Sequence, residues 1–183
     1  ARPVMQLYST PEKSPITSWA YSILGQIYVV LPLALLGVWG YKSDYQLFMN
    51  TEYLLMALFV FVWTNDTGAY IVGCTLGKHR LFERISPKKS WEGFFGGLAF
   101  CIILASLANY IIPGMLSTAQ WIGMGILTSI FSTWGDLCES LLKRTAGVKD
   151  SGKILPGHGG ILDRFDSELI ASPVIFIYLT FVL

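Results

Sequence analysis

Charge is scarce in this sequence. Only 14% of its 183 residues are Asp, Glu, Lys or Arg, against about 25% in a typical soluble domain, too few to cover a water-soluble globule of this length. Cysteine is scarce as well. Cys74, Cys101 and Cys138 lie far apart in apolar stretches with no CxxC spacing, which argues against a disulfide or zinc framework and favours small buried hydrophobes. Internal repeats and low-complexity tracts are absent. An amino-terminal signal peptide does not fit either, because Ala1 to Ser18 holds charges, three prolines and no apolar core. What the chain has in plenty is apolar: 53% of residues, with a mean hydropathy of +0.53. That composition excludes disorder and points to a membrane.

A bilayer-crossing helix needs about 20 mostly apolar residues. Five stretches meet that need: Trp19 to Gly40, without a charge; Tyr53 to Cys74, interrupted by Thr64, Asn65, Asp66 and Thr67; Gly93 to Pro113, rich in glycine; Trp121 to Leu142, containing Asp136 and Glu139; and Leu162 to Leu183, which Pro173 is expected to bend. The fold class is therefore all-α, a polytopic integral membrane protein with about five transmembrane helices. The sequence lacks an initiator Met and ends inside an apolar run, so it reads as a fragment of a longer protein.

With alternating sides, twelve of the thirteen basic residues share one face. They are Arg2 and Lys13 at the amino terminus; Lys78, Arg80, Arg84, Lys88 and Lys89 between the second and third spans; and Lys143, Arg144, Lys149, Lys153 and Arg164 between the fourth and fifth. Lys42 alone faces the other way. The positive-inside rule places the basic face in the cytoplasm, in the inner membrane if the source is bacterial. A missing or additional span would scatter these charges over both sides.

Asp66, Asp136 and Glu139 lie within or near the ends of apolar spans. A carboxylate at membrane depth costs at least about 2.5 kcal/mol on insertion scales, so it should face a wet cavity and have a partner. Ser132, Asp136, Glu139, Ser140 and Lys143 are spaced to form one helical stripe; Asp163 and Asp166 share a helix face. Asp66 heads a stripe through Tyr70 and Gly73. Such carboxylates suit a hard divalent cation held together with substrate phosphates. They also suit mutual neutralisation with Lys143, Arg144 or Arg164, or an ion or proton pathway.

The basic loops carry their own signals. Ser86-Pro87-Lys88-Lys89-Ser90-Trp91-Glu92-Gly93 puts two cations and hydroxyls where the third helix starts, a place that favours anions but also suits ordinary anchoring at anionic lipids. The glycine-rich loop 143–161 is long and polar, more often a functional loop than a spacer. In it, Gly159 and Gly160 permit close backbone approach of an anionic ligand, and His158 beside them can bind phosphate or move a proton. The string Gly73-Cys74-Thr75-Leu76-Gly77-Lys78-His79 is not a P-loop, because the glycine spacing is one short and no Ser or Thr follows the lysine. No DGxxAR-type motif of CDP-alcohol transferases occurs.

Taken together these strings resemble one family. From Ser140 through Lys143-Arg144, Lys149-Asp150, and Leu155-Pro156-Gly157-His158-Gly159-Gly160 to Asp163-Arg164-Phe165-Asp166, twenty-seven consecutive positions match the signature of the phosphatidate cytidylyltransferases, or CDP-diacylglycerol synthases. Asn65-Asp66-Thr-Gly-Ala-Tyr70, Ser86 to Gly93 and Gly135-Asp136-Leu-Cys-Glu139-Ser140 are similar to further family segments in the same order. The resemblance covers residues 60–183. It departs at Ser90, where the family usually has Thr, and family members usually carry further helices before the matched region.

The resemblance implies a catalytic membrane domain over 51–183, preceded by an amino-terminal segment and first helix over 1–50. It implies transfer of a cytidylyl group from CTP to phosphatidic acid at the cytoplasmic face, with Mg²⁺ as cofactor, room for a second cation, and a homodimer as an admissible assembly. Membrane lipids are the other partners; no nucleic acid is expected. Asp136 and Asp163 become the expected metal ligands, with Asp66, Glu139 and Asp166 supporting them or touching nucleotide. Lys88, Lys89, Lys143, Arg144, Lys149 and Arg164 are expected on phosphates, and His158, Gly159 and Gly160 around the triphosphate. Asn65, Ser86, Ser90, Glu92, Ser140 and Asp150 complete the expected substrate contacts. Two other classes fit the same residues: an ion or proton transporter relaying through Asp66, Asp136 and Glu139, and a CTP-dependent lipid or polyprenol kinase.

Overall fold

A computed structural model describes residues 15–40, 51–152 and 159–183. His158, Lys153, Lys42, Lys13 and Arg2, all named above, lie outside the described residues. The helices are α1 (Pro15–Gly25), which continues through a π-helical turn (Gln26–Val30) into α2 (Leu31–Gly40), then α3 (Thr51–Leu76), α4 (Trp91–Ile111), α5 (Thr118–Thr145) and α6 (Leu162–Val182). Between α3 and α4 a two-stranded antiparallel hairpin forms from β1 (Arg80–Phe82) and β2 (Ser86–Ser90). The chain is an all-α membrane protein whose one sheet among the described residues lies in a basic loop.

Four helical runs among the described residues are long and apolar enough to cross a membrane: Ile16–Val38, Glu52–Leu76, Trp91–Ile111 and Leu162–Val182. The fifth expected span is α5. At 28 residues it is ample in length, but its buried face carries Thr128, Ser129, Ser132, Thr133 and Glu139. It is the central helix, packed on α4 and α6 and also touching α3, so its polar residues meet protein and its composition need not satisfy lipid. The polar quartet Thr64 to Thr67 does not interrupt α3, which runs unbroken through it, because neighbouring helices take up its buried polar group. Large side chains such as Trp63, Ile103, Tyr110 and Phe181 point outward, as a lipid-facing surface requires.

The core gathers Leu54, Leu58, Phe61 and Val62 of α3, Cys101 and Ala105 of α4, Trp121 and Met124 of α5, and Ala171, Ile175 and Leu179 of α6. Of the three cysteines, Cys101 is buried as expected, whereas Cys74 and Cys138 lie on exposed helix faces; all three are free thiols. Small residues let the helices close on one another, as membrane packing demands. A Cβ at Gly97 on α4 would come 2.5 Å from Asn65 Oδ1, and one at Gly135 on α5 would come 2.5 Å from the carbonyl oxygen of Asp166. The carboxyl end of α3, the hairpin, the carboxyl end of α5 and the start of α6 all meet at one end of the bundle.

Candidate active site

A cavity of about 260 Å³ opens at that end, lined by Asp66, Tyr70 and Gly73 of α3, Lys88 and Lys89 of β2, and Asp136 of α5, among others. The stripe expected from Asp66 through Tyr70 and Gly73 thus forms one wall. The lysines do not sit on free helix N–H groups. They lie on β2, and the amino terminus of α4 is already capped, with Ser90 Oγ accepting from the Gly93 N–H at 3.1 Å. Glu92 closes the same corner: its carboxylate accepts from the N–H groups of Lys78 and His79, and His79 Nδ1 lies 2.6 Å from Glu92 Oε1. The hairpin is therefore fastened to α4 at its base, which aims β2 at the cavity.

Across the cavity Lys89 Nζ meets Asp136 Oδ2 at 2.5 Å, both side chains partly exposed. Ser140 Oγ donates to Asp136 Oδ1 at 3.2 Å, one helical turn on. Asp66 and Asp166 lie within electrostatic reach of both Asp136 and Lys89. The close approach at Gly135 sets this arrangement, since it brings the Asp166–Ser167 backbone of α6 against α5.

One turn further along α5 is a second knot. Lys143 pairs with Glu139 and, at 2.9 Å, with Asp163 Oδ1. Asp163 Oδ2 also accepts from the N–H groups of Ser151, at 2.9 Å, and Gly160, at 2.7 Å. One carboxylate thus ties both described ends of the glycine-rich loop to α5. Gly159 has φ +80°, a left-handed conformation that favours glycine. The amide of Gly160, expected to face an anion, is spent on Asp163.

The remaining expected residues divide between these two places and the loop surface. Asn65 lines the cavity but is 1% exposed, and its amide is engaged by α5: Oδ1 accepts from Ser129 Oγ at 2.6 Å, and Nδ2 donates to Ser132 Oγ at 3.1 Å. Ser86 opens β2, paired with Phe82. Arg144, Lys149, Asp150 and Arg164 are exposed around the loop, and none lines the cavity. Among the described residues no three acidic, His or Cys side chains are gathered into a metal-holding group.

A family model described as the cytidylyltransferase family matches residues 2–182. The chain belongs to that family. Among curated relatives, a phosphatidate cytidylyltransferase of Staphylococcus aureus (strain COL) is 41% identical over 160 residues, covering 87% of this chain and 61% of the relative. One from Staphylococcus haemolyticus is 41% identical over 159 residues, and one from Staphylococcus epidermidis 40% over the same length. The chain therefore spans 61% of the length of the curated relatives it matches.

In this cytidylyltransferase-family chain the match includes the first helix, which carries none of the quoted motifs. That helix supplies a residue sequence reasoning missed. Tyr28, in the π-helical turn, has a buried hydroxyl without a hydrogen-bond partner among the described residues, within electrostatic reach of Asp136, Glu139 and Asp166. Glu168, 3% exposed on α6, was missed too; its Oε2 is likewise unpartnered, as is the hydroxyl of Ser172 one turn on. Glu168 lies only two residues past the matched signature, and its spacing from Ser172 was the available signal. Tyr28 had none, because its proximity arises from packing of the first helix on α6.

Proposed function

We propose that this chain carries the catalytic part of a phosphatidate cytidylyltransferase, an enzyme that joins the cytidylyl group of CTP to phosphatidic acid, yielding CDP-diacylglycerol and pyrophosphate. The observation that carries the reading is the cavity in which Lys88 and Lys89 of the hairpin face Asp66 and Asp136 inside a bundle of membrane helices, in a chain 41% identical to proteins of that name. Both substrates are anionic and one is a lipid, so the site needs cations at the end of a helix bundle, which is where these lie.

In the reaction a phosphate oxygen of phosphatidic acid attacks the α-phosphorus of CTP, the bond from that phosphorus to the bridging oxygen breaks, and pyrophosphate leaves. No side chain need act as nucleophile, and the attacking phosphate is already anionic near neutral pH. The work of the protein is positioning and charge stabilisation. Lys88 and Lys89 hold the triphosphate from the hairpin side; Lys143, Arg144, Lys149 and Arg164, with His158 and Gly159, act from the loop side, while the Gly160 amide holds Asp163. Ser140 orients the Asp136 carboxylate.

The donor set fits a hard divalent cation such as Mg²⁺. It offers carboxylate oxygens without soft ligands, which suits an ion held by one or two carboxylates plus substrate phosphates. Asp136 would hold it, joined by Asp163 once Lys143 turns to phosphate. Bound there, the ion supplies charge neutralisation for the departing pyrophosphate.

Pyrophosphate release in lipid–detergent micelles, with CTP, phosphatidic acid and Mg²⁺ omitted in turn, tests the proposal. Dependence on all three, and loss in Asp136→Asn, is the expected result. Release of CDP in place of pyrophosphate would identify a lipid kinase, and nucleotide-independent ion flux in liposomes a transporter; either overturns it. The one-sided basic charge supports a site on the cytoplasmic face, and labelling of Ser86→Cys with an impermeant thiol reagent from the two sides of sealed vesicles, with Cys74 and Cys138 replaced by Ser, tests it.

A further inference from the structure

Lys89 and Lys143 each do something a phosphate-binding lysine does not need to do: they sit on carboxylates. Lys89 Nζ is 2.5 Å from Asp136 Oδ2, and Lys143 bridges Glu139 and Asp163. Of these acids, Asp136 and Asp163 are the ones to which the proposed function assigns the divalent cation, and the lysines are those it assigns to the triphosphate. The charge of Lys89 also reaches Asp66 and Asp166, so one ammonium acts on three carboxylates. Without a cation, Asp66, Asp136 and Asp166 would repel one another in a partly desolvated setting.

From these pairs we infer that Lys89 is a resident counter-ion which a divalent cation must displace from Asp136, so that metal and triphosphate enter by exchange: the metal takes the carboxylate as the phosphates take the lysine. The inference rests on the proposed metal and nucleotide roles of this same site. Its physical basis is that an ammonium and a divalent cation compete for one carboxylate, and that their mutual repulsion falls only when phosphate oxygens draw the ammonium away. The loop-side knot repeats the arrangement, with Lys143 on Asp163. The consequence is ordered chemistry: the acids bind metal poorly until a triphosphate is present. Divalent ions alone then leave the site undisturbed.

The experiment is nucleotide-free binding of Mn²⁺ to the purified chain in detergent, read as loss of the free-ion electron paramagnetic resonance signal, for wild type, Lys89→Gln, Lys89→Met, Lys89→Arg and Asp136→Asn. Removing a unit charge beside the site should tighten Mn²⁺ binding by about tenfold or more in the Gln and Met variants, while Lys89→Arg keeps the wild-type affinity. The Lys89–Asp136 pair is partly exposed, so both neutral variants are expected to fold, and gel filtration checks that they do. Unchanged or weaker Mn²⁺ binding in both neutral variants, with binding lost in Asp136→Asn, overturns the exchange and leaves the metal assignment standing. Tightened Mn²⁺ binding that persists when Asp136→Asn is added to Lys89→Gln overturns the metal assignment itself, and the exchange with it.

Discussion

Gly135 of α5 lies against Ser167 of α6 so closely that a Cβ on the glycine would come 3.0 Å from the Ser167 Cα. The contact is backbone against backbone, which no rotamer change relieves, and it sits beside Asp136 on one helix and Asp166 on the other. The two acids come within electrostatic reach of each other where the residue between their helices has no side chain.

Gly135→Val should therefore separate α5 from α6 at the site. Overpacking of this kind costs about 1–3 kcal/mol, seen as a lower thermal unfolding midpoint in detergent. Pyrophosphate release should fall further than that loss of stability explains, because Asp136 moves relative to Asp166. Unaltered turnover would mean the close approach is not needed for activity.

Asp163 holds the loop. Its carboxylate accepts from Ser151 N–H, Gly160 N–H and Lys143, so Asp163→Ala should release both described loop ends together. Hydrogen exchange is the measurement: the amides of Ser151 and Gly160 should exchange faster by an order of magnitude or more, with amides in the middle of α4 unchanged. Equal protection in the variant would show that other contacts hold the loop.

Asn65 joins α3 to α5 through Ser129 and Ser132. Asn65→Leu strips these hydroxyls of their partner and adds bulk against Gly97, where a Cβ would already approach the Asn65 side chain. A loss of about 1–3 kcal/mol is expected from the unsatisfied groups. Asn65→Asp should be at least as damaging, since it keeps the shape but buries a charge. A variant Asn65→Leu as stable as wild type would place the value of this residue in ligand binding instead of helix packing.

Much of the architecture was written in local chemistry. Apolar runs of bilayer length appear as helices within a few residues of where they read: Tyr53 to Cys74 became Thr51–Leu76, and Gly93 to Pro113 became Trp91–Ile111. That works because a helix is the one local way to satisfy backbone groups in lipid. The helical stripe through Asp136, Ser140, Glu139 and Lys143 was also legible, being set by the period of a single helix. The hairpin was not: in Ser86-Pro87-Lys88-Lys89-Ser90 the charges read as a loop, and only pairing with Arg80–Phe82 makes a strand of it.

Composition, period and uninterrupted strings were enough for the membrane-helix class and the family. Which acid meets which base came from packing alone. Lys89 belongs to Asp136 and Lys143 to Glu139 and Asp163, Asn65 is spent on α5, and the hydroxyl of Tyr28 arrives from a helix with no motif. Those pairings depend on where helices distant in the chain approach, and that is fixed by glycines whose effect exists only once a partner backbone lies against them.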